Sequence, residues 1–494
     1  MEGNSVVWQG NYDDLYIDGQ WRAPASSDVI AVVSPFTEQV IAEVPDGSRE
    51  DMDHAVASAR RAFDAGPWPR LRLEERMGAV RRLSEYMLEN EELIASLVTS
   101  EMGCPISLSR VMQSRSPRML VDSFLDLAGG YPWSSVRTSS AAQALVTREP
   151  VGVVAIVIPW NAPLLSLLIK LAPALLSGCT VVVKPAPEAP LNTYLLGELL
   201  DKAEIPAGVV NIVPAGREAG EHLVTHPDVD KVAFTGSTAA GRRIASLCGR
   251  DLRRVTLELG GKSAAVVLED ADLDVVIDNV RALSLRNSGQ TCSNKTRLVV
   301  PRRLEREIGD RLVGMMEGLK VGDPMDPATD IGPLVAQRQQ ELVKSYITTG
   351  REEGAHLLVG GGTPTDLPRG WFVEPTVFTG VTPSMRIAQE EIFGPVLTVI
   401  AYDSEDEAVV IANDSMYGLS GSVFSRDDAR ALAVARGIRT GVVEINGGPV
   451  GWQAPIGGFK ASGIGRESGP EGFDAYNELK SYGLTNTLAS SVGA

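Results

Sequence analysis

Four cysteines and four histidines are all that 494 residues contain. This scarcity removes most ordinary routes to metal or covalent chemistry. Cys104, Cys179, Cys248 and Cys292 stand in no CxxC or zinc-ligand spacing, so no metal is expected. A disulfide framework does not suit so long a chain with so few thiols, and a reducing, cytoplasmic compartment is the expectation. The start, Met1-Glu2-Gly3-Asn4, has neither a basic nor an apolar leader pattern. Long apolar runs are also missing. The most apolar stretch, 151–183, is broken by Pro159, Asn161, Pro163, Lys170, Pro173 and Gly178. A membrane helix needs roughly 20 unbroken apolar residues, so this stretch reads as core. Positive charge is in deficit, with 46 Lys and Arg against 63 Asp and Glu and a net charge of −17. That balance argues against nucleic-acid or membrane-surface partners.

What is present is an ordinary globular composition, 44% hydrophobic and 22% charged, in a chain long enough for two or three domains. Asp18-Gly19 between apolar residues predicts a hairpin near the start. Residues 50–128 read mostly as helices, and Gly129-Gly130-Tyr131-Pro132 breaks them. Residues 133–147, rich in Ser, Thr and Val, read as exposed strand. The texture then changes. Val153-Val154-Ala155-Ile156-Val157-Ile158 and Thr180-Val181-Val182-Val183 are continuous β-rich runs, as a strand buried on both faces requires. Helices over 163–176 and 192–203 alternate with these runs and with strands over 209–213 and 229–234. This is the pattern of a parallel α/β sheet. Ala264-Ala265-Val266-Val267-Leu268 begins a second α/β unit, and Asp272 caps a helix that Gly289 is expected to end. The tail after Ala475 returns to Ser/Thr-rich, strand-like texture.

Two residues carry the chemistry. Cys292 lies in Gly289-Gln290-Thr291-Cys292-Ser293-Asn294, among small polar neighbours, whereas the other three cysteines have the setting of small buried hydrophobes. Glu258 lies in Glu258-Leu259-Gly260-Gly261-Lys262-Ser263, flanked by leucines and followed by glycines that admit close backbone approach. Partial burial raises a carboxyl pKa toward that of a working general base. A thiol and a base suit covalent catalysis on a carbonyl. Gly260-Gly261-Lys262-Ser263 is not a phosphate-binding P-loop, because the glycine required five residues before Gly261 is Thr256. Gly236-Ser237-Thr238-Ala239-Ala240-Gly241 follows a strand and opens a helix, where backbone N–H groups can hold a pyrophosphate. A cysteine hydrolase would need a histidine partner, and nothing around His54, His222, His226 or His356 has such a signature.

Pro159-Trp160-Asn161, Lys184-Pro185-Ala186, Phe234-Thr235-Gly236-Ser237-Thr238, Glu258-Leu259-Gly260-Gly261-Lys262, Gly289-Gln290-Thr291-Cys292, Glu390-Glu391-Ile392-Phe393-Gly394-Pro395 and Pro455-Ile456-Gly457-Gly458-Phe459-Lys460 with Gly465-Arg466-Glu467 occur in one order along the chain. Together they resemble the aldehyde dehydrogenase superfamily, of the hydrolytic, non-CoA-acylating type. The resemblance implies oxidation of an aldehyde to a carboxylic acid with NAD or NADP, through a hemithioacetal and a thioester on Cys292. It makes Glu258 the base and Asn161 an oxyanion donor with the Cys292 N–H. It assigns the cofactor to Ile158, Pro159, Trp160, Lys184, Gly216, Gly220, Thr235, Gly236, Ser237, Gly241, Leu259, Glu391 and Phe393. It implies an NAD(P)-binding domain over 1–128 and 150–259, a catalytic domain over 260–461, and an oligomerisation flap over 129–149 and 462–494 that makes homodimers or homotetramers. Glu467 is a candidate second base. Where NAD-preferring relatives often carry a ribose-binding glutamate, this chain has Pro187, with Glu188 one residue later. Ser166 and Ile169 are candidate tunnel residues. The alternatives are a CoA-acylating relative, which typically lacks the glutamate at 258, and a non-catalytic protein on the same fold.

Overall fold

Valine and alanine dominate the strands because both faces of each main sheet are covered. In the Val153–Val157 strand, Val154 and Ile156 pack into one hydrophobic cluster and Val153 and Ala155 into another. The neighbouring Thr180–Lys184 strand repeats the division, with Val181 and Val183 on one side and Val182 on the other. This is why the runs are continuously apolar rather than alternating. The computed structural model describes residues 10, 12–485 and 487–489; the Met1–Asn4 segment lies outside them.

Among the described residues the strands form four sheets. The first has eight strands in the order Gly463–Ile464, Arg254–Glu258, Lys231–Thr235, Val153–Val157, Thr180–Lys184, Val210–Ile212, Leu15–Ile17, Gln20–Arg22. Its five central strands are parallel, and the edge strands are antiparallel. The Asp18-Gly19 hairpin is present, and both of its turn residues have positive φ, 59° and 68°. Helices Leu73–Glu89, Ser116–Ala128, Pro163–Ser177 and Leu191–Lys202 contribute to the core on one face. Helices Arg49–Asp64, Arg217–Thr225 and Thr238–Arg250 contribute to that on the other. The second sheet has seven strands, in the order His356–Val359, Thr376–Thr379, Val396–Tyr402, Arg297–Pro301, Ala264–Val267, Ser420–Phe424, Val442–Ile445, all parallel except the first.

A small antiparallel sheet joins Ser134–Thr138, Gln143–Pro150 and Asn477–Leu484, with Asn477 opposite Pro150 and Leu484 opposite Gln143. The segment 462–494 is thus divided rather than wholly in this sheet. Gly463–Ile464 pairs with the Arg254–Glu258 strand of the first sheet, and Phe473 of the Gly469–Asp474 helix is buried in the first core. The reason is local: glycines at 463 and 465 let the chain lie against Leu257 and Thr256. The helix capped by Asp272 also ends early. Its α-helical part is Leu273–Asn279, followed by a wider turn at Val280–Ser284 and a kink. No helix among the described residues is long and apolar enough to cross a membrane.

Candidate active site

In the first sheet the chain proceeds outward from Val153–Val157 through Thr180–Lys184 to Val210–Ile212. It then returns to place Lys231–Thr235 on the opposite side of Val153–Val157. That reversal opens a crevice at the carboxyl ends of the two strands, the usual ligand position in such sheets. Ile158, Pro159, Trp160 and Asn161 leave one strand there. Thr235, Gly236 and Ser237 leave the other, and Glu258 ends the next.

The loop bearing Cys292 comes from the second sheet and is held by a strained backbone. Asn287 (φ 55°) and Ser288 (φ 56°) are left-handed, and Gly289 follows at φ 81°. Left-handed backbone costs an ordinary residue about 1–2 kcal/mol, so packing must impose it. Ser288 is fully buried and donates to the Gly332 carbonyl at 2.9 Å. At Gly289 a Cβ would lie 2.0 Å from the Gly394 oxygen, so glycine alone fits. The Gln290 side chain accepts from Val335 N–H at 3.0 Å and donates to the Asn287 carbonyl at 3.2 Å. Asn161 Nδ2 donates to the Gln290 carbonyl at 2.9 Å, while the Asn161 carbonyl accepts from Asn287 Nδ2 (3.1 Å) and Gln113 Nε2 (2.9 Å). These bonds stitch the Asn161 turn to the cysteine loop. Gln113, Asn287 and Gln290 were missed as positioning residues; in sequence Gln113 is an ordinary polar residue between Met112 and Ser114.

Gly261 completes the juxtaposition. A Cβ there would stand 2.7 Å from the Cys292 carbonyl oxygen, so the missing side chain lets the turn after Glu258 touch the cysteine backbone. Cys292 is half-buried, whereas Cys104, Cys179 and Cys248 are buried. Burial pushes the Cys292 thiol up to about 12, the nearby Glu391 and Glu258 carboxyls push the same way, and Arg286 opposes them. Burial, followed by the charge of Glu467, holds the Glu258 carboxyl well above the usual carboxylate range, with Lys170 and Arg466 opposing. Glu258 Oε1 is buried without a hydrogen-bond partner, against the face of Gly457.

Behind Glu258 lies a buried charged cluster that sequence reading missed. Lys170, fully buried, pairs with Glu467 at 2.7 Å and donates to Thr235 Oγ1 at 2.6 Å. Lys231 donates to Thr256 Oγ1 at 2.5 Å and lies over the Tyr476 ring, and burial lowers its pKa to about 8. The available signal was a lysine in the middle of Leu167-Leu168-Ile169-Lys170-Leu171, where nothing apolar can satisfy an ammonium. Glu467 therefore sits as the ion-pair partner of Lys170. Ser166 is half-buried with its carbonyl accepting from Lys170 at 3.2 Å, while Ile169 is 4% exposed and part of the first core.

The remaining candidates fall along the same crevice. Ile158 N–H donates to the Lys184 carbonyl at 3.2 Å, which joins two strand ends. Lys184 is 7% exposed, its ammonium donates to the Pro185 carbonyl at 2.8 Å, and burial lowers its pKa to about 8 against the pull of Glu188 and Asp46. Gly220 packs on the Lys184 stem, and Gly216 N–H donates to Asp46 at 2.8 Å, a residue not anticipated. Ser237 caps the Thr238–Arg250 helix by accepting from Ala240 N–H, and Gly241 packs on Leu259. Thr235 differs from expectation in one respect: its hydroxyl is already engaged by Lys170. Glu391, pushed up to about 7 by burial, accepts from Gly261 N–H at 3.0 Å. Phe393 has a left-handed backbone (φ 59°), its carbonyl accepts from Gln339 at 2.9 Å, and its ring meets Trp160 edge-on with centroids 5.4 Å apart. Glu188 pairs with Arg338. A helix N-terminus at the sheet's crevice, with a buried lysine that makes no ion pair among the described residues, fits a dinucleotide: anion at the helix end, ribose at the lysine.

The four histidines lie elsewhere. His222 and His226 face Asp53 at 2.6 and 3.4 Å, and His356 is on an edge strand. No hydrogen bond or ion pair joins a histidine to Cys292 among the described residues.

The chain matches the aldehyde dehydrogenase family over residues 21–482 and belongs to that family. It is 46% identical over 472 residues to geranial dehydrogenase of Castellaniella defragrans, covering 95% of this chain and 98% of that protein. Human mitochondrial aldehyde dehydrogenase is 39% identical over 472 residues, covering 95% of this chain and 91% of that protein. Among solved structures, a Mycobacterium tuberculosis aldehyde dehydrogenase complexed with NAD+ superimposes with a TM-score of 0.95 at 44% identity, covering 96% of this chain and 98% of that one. A cysteine-to-alanine mutant of aldehyde dehydrogenase C of Pseudomonas syringae, complexed with NAD+ and octanal, gives 0.94 at 40% identity, covering 96% and 98%.

Proposed function

We propose that the protein is an NAD-dependent aldehyde dehydrogenase that oxidises an aldehyde to the free carboxylic acid, with Cys292 as nucleophile, Glu258 as base and Asn161 as oxyanion donor. The observation that carries this reading is the placement of the one cysteine of the four that is not fully buried. Gly261 holds the Cys292 backbone against the turn after Glu258, and Asn161 is bonded into the same loop.

The chemistry follows from these groups. Burial raises the pKa of both the Cys292 thiol and the Glu258 carboxyl. When Sγ adds to the carbonyl carbon its proton passes to the Glu258 carboxylate and on to solvent, and the former carbonyl oxygen carries the negative charge of a hemithioacetal. One Asn161 N–H is bonded to Gln290; the other, with the Cys292 N–H, meets that oxygen, a contact worth about 10²–10³ in rate per donor. A nicotinamide held beside Trp160, Glu391 and Phe393 would supply the hydride acceptor whose reduction leaves a thioester on Cys292. Glu258 then takes a proton from water as it attacks the thioester, releasing the acid and the thiol. A base in this place favours water over CoA as acyl acceptor. Lys184, Gly216, Gly220, Gly236, Ser237 and Gly241 would hold the adenosine and pyrophosphate side, and Trp160, Glu391 and Phe393 the nicotinamide side. Glu188, paired with Arg338 but close enough to act on Lys184, puts a carboxylate beside the lysine that would meet the ribose, which favours NAD over NADP. Four free thiols fit a reducing cytoplasm.

The test is a panel of aldehydes with NAD⁺ and with NADP⁺, following absorbance of the reduced cofactor. NADH formation with acid as product is expected, faster than with NADP⁺; no reduced cofactor with any aldehyde would overturn the reading. The domain roles follow it. The first sheet binds the cofactor, the second carries the nucleophile, and the three-stranded sheet is the oligomerisation flap. That sheet is largely exposed, and an open edge of this kind pairs with another chain. A closed homodimer or homotetramer is expected by light scattering. A monomeric mass at micromolar concentration would exclude it.

A further inference from the structure

Two opposite charges flank the first turn of the Arg217–Thr225 helix. Lys184, at the end of its strand, lays its stem on Gly220, where a Cβ would stand 3.1 Å from the lysine Cδ. Asp46, just past the Val40–Pro45 strand, accepts from Gly216 N–H at 2.8 Å, and a Cβ on Gly216 would stand 3.7 Å from both of its carboxylate oxygens. Gly220 N–H donates to the Gly216 carbonyl at 3.2 Å, so the two glycines are one helical turn apart. The floor between the cation and the carboxylate is therefore largely bare backbone. Backbone contacts fix Asp46 in this place. Its N–H donates to the Asp28 carbonyl at 2.9 Å, and Gly47 N–H donates to the Pro214 carbonyl at 2.8 Å. A Cβ on Gly47 would lie 2.3 Å from Val213 Cγ1, so only glycine lets the segment lie flat against the 213–216 loop.

Neither Lys184 nor Asp46 forms an ion pair among the described residues, with each other or with any other group. They are close enough to interact all the same. Burial lowers the Lys184 pKa to about 8, and Glu188 and then Asp46 oppose that shift. The two carboxylates differ in what surrounds them. Glu188 is bonded to Arg338, which offsets its charge, whereas Asp46 has only a backbone N–H. Pro187, next to Glu188, brings no carboxylate at all. A vicinal diol suits the space between an ammonium and a carboxylate, because a hydroxyl accepts from the first and donates to the second. A phosphate ester offers acceptors only and close to two negative charges, which Asp46 repels.

We infer that Asp46 is a specificity-determining residue, which brackets the adenosine ribose together with Lys184, favours a free 2′-hydroxyl and excludes a 2′-phosphate. This rests on the dinucleotide reading above and names the main source of its NAD preference. The selecting carboxylate comes from the segment after an N-terminal strand, not from the segment that follows Lys184.

The experiment is calorimetric titration of the intact protein with NAD⁺ and with NADP⁺, which needs no turnover. Wild type is compared with Asp46→Asn, Asp46→Glu and Glu188→Gln, and the readout is the ratio of the NADP⁺ Kd to the NAD⁺ Kd. Asparagine keeps an oxygen for Gly216 N–H and removes only the charge. The wild-type ratio is expected to be about tenfold or more, and Asp46→Asn should bring it down about tenfold, through tighter NADP⁺ binding with the NAD⁺ Kd nearly unchanged. Asp46→Glu, which keeps the charge, should keep most of the ratio, and Glu188→Gln should move it less than Asp46→Asn does. Asp46→Ser is a second neutral variant, and an unchanged thermal midpoint checks the fold of each. An unchanged ratio in both neutral variants overturns the inference. So does an equal loss of affinity for both cofactors, which would make Asp46 an anchor of the Gly216 loop, or a larger shift in Glu188→Gln than in Asp46→Asn. NADP⁺ bound by the wild type as tightly as NAD⁺ also overturns it, and hands the phosphate to Arg217, exposed at the first position of the helix. Binding of neither cofactor is a separate outcome, which removes the dinucleotide reading and this inference with it.

Discussion

The two walls of the cleft reach the same place by different physics. The wall from the first sheet is built of regular strand ends and carries its function in buried ionisable groups: Glu258, Glu467, Lys170, Lys231 and Lys184. Its backbone is unremarkable, and what is costly there is charge without water. The wall from the second sheet carries its function in backbone conformation. Asn287, Ser288, Gly289 and Phe393 all have positive φ, and amides rather than charges hold them. Backbone strain is confined to the second wall, although desolvation also raises Glu391 there. A site needs both, because a base with a raised pKa is useless if the thiol is an ångström out of place.

Five substitutions probe that division. Cys292→Ala should give the largest effect, a loss of turnover of roughly 10⁴-fold or more, because no other group can carry the acyl chain. NAD⁺ binding, read by fluorescence quenching, should survive, since the helix N-terminus and Lys184 are untouched. Measurable steady-state turnover in this variant would move the nucleophile elsewhere.

Glu258→Gln should cost about 10²–10⁴-fold, the usual worth of a positioned base. The pH dependence carries the sign. Burial and Glu467 raise the Glu258 pKa, so its basic form appears only above the ordinary carboxylate range of about 4.3. Wild-type kcat/KM should therefore rise with pH through a value well above that range and fall as pH drops. Glu258→Gln should flatten this limb, and an unchanged limb would assign it to another group. Lys170→Met sharpens the same point, because removing the cation that opposes the shift should move the limb to higher pH.

Asn161→Ala should lower turnover about 10²-fold by removing one oxyanion donor. It also cuts the bond to Gln290, so a loss confined to kcat supports a transition-state role, whereas a matching loss in NAD⁺ affinity would mean the loop has moved. Gly289→Ala tests the strained wall alone. A Cβ there meets the Gly394 oxygen at 2.0 Å in a left-handed backbone, and a destabilisation of roughly 3 kcal/mol is expected in thermal or denaturant unfolding. A variant as stable as the wild type would show that the loop has an easy alternative path, and that its strain is not what positions Cys292.

The sequence by itself went a long way here. Continuous apolar runs such as 153–158 and 180–183 can be stable only where both faces of a strand are covered, so the parallel α/β architecture was legible locally. Cys292 stood out because its neighbours are polar and those of the other cysteines are not. The glycines after Glu258 announced a close backbone approach, although not what approaches; the answer, the Cys292 carbonyl, lies across the interface of the two sheets.

What only the tertiary structure decided is where charge is left without a partner and where backbone is held against its preference. Lys170 read simply as an interruption of an apolar helix until Glu467, far along the chain, closed on it at 2.7 Å. Gly463–Ile464 read as part of the tail and joined the first sheet, because pairing depends on which strand edge is free nearby. The left-handed run at 287–289 read as the end of a helix, since local propensity is silent about a conformation that packing imposes. Periodicity and residue type are short-range properties and are written in the chain; desolvation and unmatched charge are sums over everything nearby, and they exist only once the chain has folded.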